Sequence, residues 1–149
     1  ALDGAKSKAL IEQAGTVEGR TVLMTASGAK DVVDTVINMT GVVNASSASV
    51  EGGKIVLRGG SAGKVKIDGV MDASGTTGGG DIDVQGEDIE VSKDSLVMAD
   101  ALENGDGGRV YFMAANNALY SGRVYARGGA VSGNGGFVEL SAKNQVGYD

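Results

Sequence analysis

Six aspartates, Asp72, Asp81, Asp83, Asp88, Asp100 and Asp106, crowd the middle of the chain. Two carboxylates on one face can cleave a glycosidic bond, one as acid and the other as base or nucleophile. The rest of the catalytic vocabulary is thin. His is absent, which removes the commonest general base and metal ligand. Cys is absent too, and with it thiolate catalysis, disulfides and Cys-bound zinc. Several of the six carboxylates fall at turns or outward strand positions, where an acid serves solubility. The sequence is therefore read as having no catalytic residue, no cofactor-binding residue and no metal ligand. Hydrolase or lyase chemistry at the carboxylates is the alternative. Asn104-Gly105-Asp106-Gly107-Gly108 has the Gly/Asp content of a calcium loop. It occurs once, matches neither a nonapeptide calcium repeat nor an EF-hand, and is read as a plain turn.

Binding chemistry is concentrated late in the chain. All six aromatics, Tyr111, Phe112, Tyr120, Tyr125, Phe137 and Tyr148, lie beyond residue 110. Strand alternation turns Phe112 and Tyr120 inward. It turns Tyr111 and Tyr125 outward, beside Arg109, Arg123 and Arg127, a candidate surface for a sugar or a partner protein. The alternative is that these side chains pack on their cross-strand neighbours. Asn38-Met39-Thr40 and Asn44-Ala45-Ser46 fit the N-glycosylation pattern. With 13 basic against 19 acidic residues, the charge balance argues against a nucleic-acid partner. No run approaches the roughly 18 apolar residues of a membrane span. No signal peptide or initiating Met is present, so the chain is expected to be a mature product or a piece of something longer.

The elements that carry these residues repeat. Gly52-Gly53-Lys54-Ile55-Val56-Leu57 returns as Gly79-Gly80-Asp81-Ile82-Asp83-Val84, as Gly107-Gly108-Arg109-Val110-Tyr111-Phe112 and as Gly135-Gly136-Phe137-Val138-Glu139-Leu140. Each copy is a glycine pair read as turn chemistry, then a strand with an apolar residue at every second position. The steps from Ile55 to Ile82, Val110 and Val138 are 27, 28 and 28 residues. A second repeat interleaves: Gly41-Val42-Val43-Asn44-Ala45, Gly69-Val70-Met71-Asp72-Ala73, Ser95-Leu96-Val97-Met98-Ala99 and Gly122-Arg123-Val124-Tyr125-Ala126. A third strand precedes it at Lys64-Val65-Lys66-Ile67, Asp88-Ile89-Glu90-Val91 and Asn117-Ala118-Leu119-Tyr120. A fixed period of strands and Gly turns marks a solenoid. The prediction is all-β: one domain over 1–149, a right-handed parallel β-helix of about five coils of about 27 residues. At roughly 4.8 Å per coil the rod would be on the order of 20–25 Å long. Residues 1–14 are either a helical cap, since Ala5 to Gln13 holds good helix formers, or an irregular first coil. Residues 27–38 break the rhythm but are expected to feed a strand at Val36-Ile37.

Period two then sorts the side chains. Ile55, Ile82, Val110 and Val138 should stack in one buried column and Leu57, Val84, Phe112 and Leu140 in the next. Val43, Met71, Val97 and Val124 form a third, with Ala45, Ala73, Ala99 and Ala126 at a tight corner. The loops after Ala45, Ala99 and Ala126 are Ser/Gly/Asn-rich and should be solvated turns. Outward, Lys54, Asp81 and Arg109 alternate in sign, but Val42, Val70, Leu96 and Met98 make an apolar stripe. A contiguous stripe on a rod is normally covered, so it is a candidate partner surface. A loop folding back over it is the alternative.

In this order the segments resemble a known family. They include Gly19-Arg20-Thr21-Val22-Leu23-Met24-Thr25-Ala26, Asp31 to Ala45, Gly52 to Leu57, Asp72-Ala73-Ser74-Gly75, Ala126-Arg127-Gly128-Gly129 and Gly133 to Ser141. Together they are similar to filamentous-haemagglutinin-type exoproteins of Gram-negative two-partner secretion, over the β-helical stalk that follows the secretion domain. Arg20 stands where the family pattern has a second glycine, and residues 85–106 match loosely. The resemblance implies a structural or adhesive segment of a secreted or cell-surface exoprotein, a rod that projects or assembles without enzymatic activity. Its partners would be other parts of the parent exoprotein, further copies of itself, or a host or neighbour-cell glycan or protein, with no membrane insertion. A carbohydrate-active β-helix enzyme and a protomer of a self-assembled extracellular filament are the alternatives.

Overall fold

The computed structural model of the chain describes residues 7–13, 15–18, 21–25, 33–39, 42–44, 53–59 and 64–148. These residues form sixteen strands and no helix. The first eight are β1 (Ser7–Gln13), β2 (Thr16–Glu18), β3 (Thr21–Thr25), β4 (Val33–Met39), β5 (Val42–Asn44), β6 (Lys54–Arg58), β7 (Lys64–Ile67) and β8 (Val70–Asp72). The rest are β9 (Asp81–Gly86), β10 (Asp88–Val91), β11 (Leu96–Met98), β12 (Arg109–Ala114), β13 (Asn117–Tyr120), β14 (Arg123–Tyr125), β15 (Phe137–Ala142) and β16 (Gln145–Tyr148). Every third strand pairs, in parallel, and the chain stacks as a β-solenoid. The first sheet runs β1-β4-β7-β10-β13-β16, the second β2-β5-β8-β11-β14 and the third β3-β6-β9-β12-β15.

The register is the one the repeats predict. Ile55 pairs with Ile82, Ile82 with Val110, and Val110 with Val138. Leu57, Val84, Phe112 and Leu140 pair in the same way, as do Val43, Met71, Val97 and Val124. Alternation buries one residue in two on β7, β9 and β10, so equivalent apolar residues form continuous internal columns. Ala73 and Ala99 are fully enclosed at the corner after the second sheet. Towards the C-terminal rungs the filling turns aromatic. The Phe112 and Tyr120 rings lie 5.6 Å apart, and Tyr120 and Tyr148 5.9 Å apart. The Tyr120 hydroxyl donates to the Phe112 carbonyl at 3.2 Å, which lets a phenol sit inside without an orphaned polar atom.

Four expectations need correcting. Val138 is in register but 41% exposed, because its own strand β15 is the edge of its sheet and is flanked only by β12. Residues 7–13 form β1, a strand paired with β4, and not a helical cap; a neighbouring strand edge outweighs a modest helix propensity. The glycine pairs are not placed for left-handed turns. Among the described residues only Gly105 and Gly133 have positive φ, 98° and 124°. At Gly108 an added Cβ would lie 1.9 Å from the Gly80 carbonyl oxygen, and at Gly136 2.0 Å from that of Gly108. Gly79, Gly107, Gly108 and Gly136 are there because successive rungs touch backbone to backbone, whereas Gly135 stands clear of its neighbours.

The fourth correction concerns the loops. The loops after Ala73, Ala99 and Ala126 stack as a wing beside the solenoid; the loop after Ala126 is largely exposed, as expected, but that after Ala99 is not simply a solvated turn, since Asp100 and Ala101 are buried. Each loop is closed at its stem, by Gly80 N–H to Ala73 O at 2.8 Å, Gly108 N–H to Ala99 O at 2.6 Å and Gly136 N–H to Ala126 O at 2.6 Å. Further out, Gly75 bridges Ala101 and Asn104 bridges Ser132, as in a sheet. Ser74, Asp100 and Ala101 are buried between the layers. The loop after Ala45 lies outside the described residues. The expected strand at Val36-Ile37 is present as part of β4.

Candidate functional site

The five residues of the Tyr/Arg surface fall into two groups on different sheets. Arg109 and Tyr111 stand on β12, and Arg123 and Tyr125 on β14, with Arg127 just after it. In the first group Arg109 Nε donates to Asp81 Oδ1 at 3.1 Å, which holds its guanidinium above its ordinary pKa. The Tyr111 ring rests 5.6 Å from Phe137 on the next rung, the cross-strand packing that was the alternative to a ligand surface. In the second group Arg127 lies 4.5 Å above the Tyr125 ring while its Nε and Nη2 donate to Asp100 Oδ2 at 3.1 and 2.7 Å. That bond to Asp100 raises its pKa as well. Arg123, in register with Leu96, is exposed.

The six aspartates are distributed over all three sheets and the wing, and most of them serve the chain itself. Asp72 accepts the Ser74 amide at 2.9 Å, closing a local turn. Asp88 accepts the Asn117 amide of the next rung at 3.1 Å, Asp106 that of Asn134 at 2.8 Å, and Asp100 that of Arg127 at 2.7 Å. Asp100 is 3% exposed, so it is the one acid here that sequence reasoning placed wrongly as a solvated turn. Its signal was available: Arg127 follows it by one repeat. Asp81 pairs with Arg109, and Asp83 accepts weakly from Gln85 at 3.3 Å, with Arg58 at 3.9 Å. On the first sheet Lys64 Nζ meets Glu90 Oε2 at 2.6 Å, and this bond holds the Glu90 carboxyl below its usual value. Among the described residues no three His, Cys, Asp or Glu side chains gather as a metal site, and Asn104–Gly108 is part of the wing.

The outer surface of the described residues carries several concavities, among them a small one of about 240 Å³ beside Asp100 and Arg127. A polar crevice of about 490 Å³ separates the wing from the third sheet, lined by Thr77, Asp81, Asp106, Arg109 and the glycine backbone between them. A shallower groove of about 410 Å³ crosses the first sheet past Lys64, Glu90, Asn117, Leu119 and Gln145. The apolar stripe is on the second sheet in the predicted register, Val42 to Val70 to Leu96, with Met98 between Asp72 and Tyr125. Val70, Leu96 and Met98 are half-buried, and the Val42 side chain lies outside the described residues. The wing loop 100–106 makes its backbone hydrogen bonds to the loops above and below it, not to β8 or β11. Both glycosylation triplets extend into residues outside the described ones. No family model matches the sequence, and no curated protein compared with it does.

Proposed function

We propose that the chain is a structural and adhesive segment of a secreted exoprotein, displayed at a Gram-negative cell surface: a right-handed rod of about five coils that projects or assembles without performing chemistry. The observation that supports this reading most is the use made of its carboxylates. Asp88, Asp100 and Asp106 each clamp a backbone amide of the following rung, and Asp81 clamps an arginine there. A catalytic pair needs oxygens directed at a substrate; these are spent on holding one rung to the next. In this reading the stripe of Val42, Val70, Leu96 and Met98 faces other parts of the parent exoprotein or further copies of it. Arg123 and the exposed edge of the Arg127–Tyr125 pair face a surface glycan or protein. The resemblance to filamentous-haemagglutinin-type stalks points the same way.

The rival, a polysaccharide lyase or hydrolase, would use the crevice that Asp81, Asp106 and Arg109 line. The deciding experiment incubates the purified chain with acidic and neutral polysaccharides and follows reducing ends and unsaturated products. No turnover is expected, while beads coated with the chain should be retained on a glycan or cell surface. Turnover lost on changing Asp81→Asn or Asp106→Asn would overturn the structural reading.

A further inference from the structure

Two Asn-Gly pairs occur in the chain, Asn104-Gly105 and Asn134-Gly135, and they occupy adjacent layers of the wing. Their surroundings differ in the atoms that matter for one reaction. The Gly105 N–H donates to the Ser132 carbonyl at 2.9 Å, and the Asn104 side-chain oxygen accepts from the Ser132 hydroxyl at 3.0 Å. Gly105 is also fixed in the left-handed region at φ 98°. At the second pair both residues are exposed, and among the described residues neither the Gly135 N–H nor the Asn134 side-chain amide makes a hydrogen bond. The nearest atom to a Cβ built on Gly135 is 3.8 Å away, so this residue is not packed against the neighbouring rung.

We propose that Asn134 is a self-modification site that converts to aspartate and isoaspartate. The Gly135 nitrogen forms a bond to Asn134 Cγ and gives up its proton to water. The bond from Cγ to the side-chain nitrogen breaks, and ammonia leaves. Water then opens the resulting five-membered imide at either carbonyl, so no oxidant or reductant is involved. Asn104 is protected because the nitrogen that would attack and the amide that would receive it are both tied to Ser132. The product bears on the wing's construction. Asn134 donates its own N–H to Asp106 and accepts from Gly107 N–H at 2.9 Å. Conversion sets a second carboxylate beside Asp106. The isoaspartate form also inserts an extra backbone atom ahead of Gly136, whose N–H closes the stem on Ala126. The modification therefore loosens this wing loop with age.

The test holds the whole folded chain at mildly alkaline pH and maps deamidation by peptide mass, scoring isoaspartate with an isoaspartyl methyltransferase. Asn134 should convert at least about tenfold faster than Asn104, the protection that one well-made hydrogen bond carries. In strong denaturant the two rates should converge, since both residues precede glycine. Gly135→Ala should slow conversion at Asn134 and leave Asn104 unchanged. Equal native rates, a faster Asn104, or a contrast that persists in denaturant would each overturn the proposal.

Discussion

Two glycine-to-alanine changes in the same motif should move stability in opposite directions. In Gly108→Ala the new Cβ would fall 1.9 Å from the Gly80 carbonyl oxygen and 2.8 Å from the Gly80 nitrogen. Both are backbone atoms of the previous rung, so no side chain can swing away. Reaching even 3.0 Å requires the rungs to part by about 1 Å. That displacement stretches two bonds that cross between these rungs, Arg109 N–H to Gly80 O, now 2.9 Å, and Gly79 N–H to Asp106 O, now 3.0 Å, towards the limit of a useful bond. Two partly enclosed backbone bonds, at about 1–3 kcal/mol each when left unmade, give about 2–6 kcal/mol. The stiffer unfolded chain returns about 0.4–1 kcal/mol of this. A net loss of about 1–6 kcal/mol is therefore expected. In Gly135→Ala the nearest atom is 3.8 Å away and φ lies outside the left-handed region, so only the unfolded-state term acts. A gain of about 0.4–1 kcal/mol is expected there. Urea unfolding of the two variants beside the parent, with the slopes compared, measures both. If Gly108→Ala unfolds within about 0.5 kcal/mol of the parent, backbone contact is not why the glycine pairs are there.

Asp100→Ala should destabilise by about 1.5–3 kcal/mol through the orphaned Arg127 amide alone, the exposed guanidinium being re-solvated; chemical denaturation checks it. Ile82→Asp should unfold the solenoid, because Ile82 is fully buried between Ile55 and Val110 and an unpaired charge there has no partner; circular dichroism would detect a folded survivor. Stability should fall at high pH. Burial pushes the Tyr120 phenol well above its ordinary value of 10.0, with the Tyr148 charge adding to it. Its contribution is complete below that value and is lost as pH rises towards the folded pKa; Tyr120→Phe should flatten that limb of an alkaline denaturation curve. Glu90 acts at the other end. Its folded pKa lies below the ordinary 4.5, so its contribution is present above 4.5 and is lost as pH falls through the folded value, a loss that Glu90→Gln should remove from acid melts. Val70→Lys with Leu96→Lys should reduce association measured by sedimentation while leaving the monomer folded, since both residues face outward on the second sheet.

The ladder was legible because it is written in the chain at a period of 26 to 28 residues with apolar residues at every second position. Ile55, Ile82 and Val110 could be stacked from spacing alone, whereas Lys64–Ile67 precedes Asp88–Val91 by only 24 residues and is matched by its alternation. What spacing did not carry was the reason for each glycine. Gly in a turn and Gly under a neighbouring carbonyl look the same in one sequence, and only the distance from Gly108 to Gly80 separates them. The wing was missed for a related cause. Its order comes from polar bonds between rungs, such as Asp100 to Arg127 and Asn104 to Ser132, and polar residues in a Gly-rich stretch carry no period-two signature. β16 was missed although Tyr148 follows Tyr120 by 28 residues, because Gln145 and Gly147 at its outward positions leave only Val146 and Tyr148 to mark a strand. The Tyr/Arg residues were correctly turned outward, but which sheet each occupied depended on the corner between them.

The bonds that run from Asp88 to Asn117, Asp100 to Arg127 and Asp106 to Asn134 each reach forward by one repeat. They give the rod a phase. Removing or duplicating a whole unit, for instance the residues between equivalent points in β9 and β12, keeps the backbone ladders and the apolar columns in register and changes only the Asp clamps, which belong to single rungs: Asp88 stands between Lys64 and Asn117. Removing half a unit strands a buried carboxylate and turns a column of valines and isoleucines out to solvent. Length is thus a quantity that can change in whole steps with the internal columns kept, whereas the cross-section cannot change without altering every rung. A lineage of such chains would be expected to vary by counted repeats, with its insertions collected in the wing loops, where an added residue displaces no internal column.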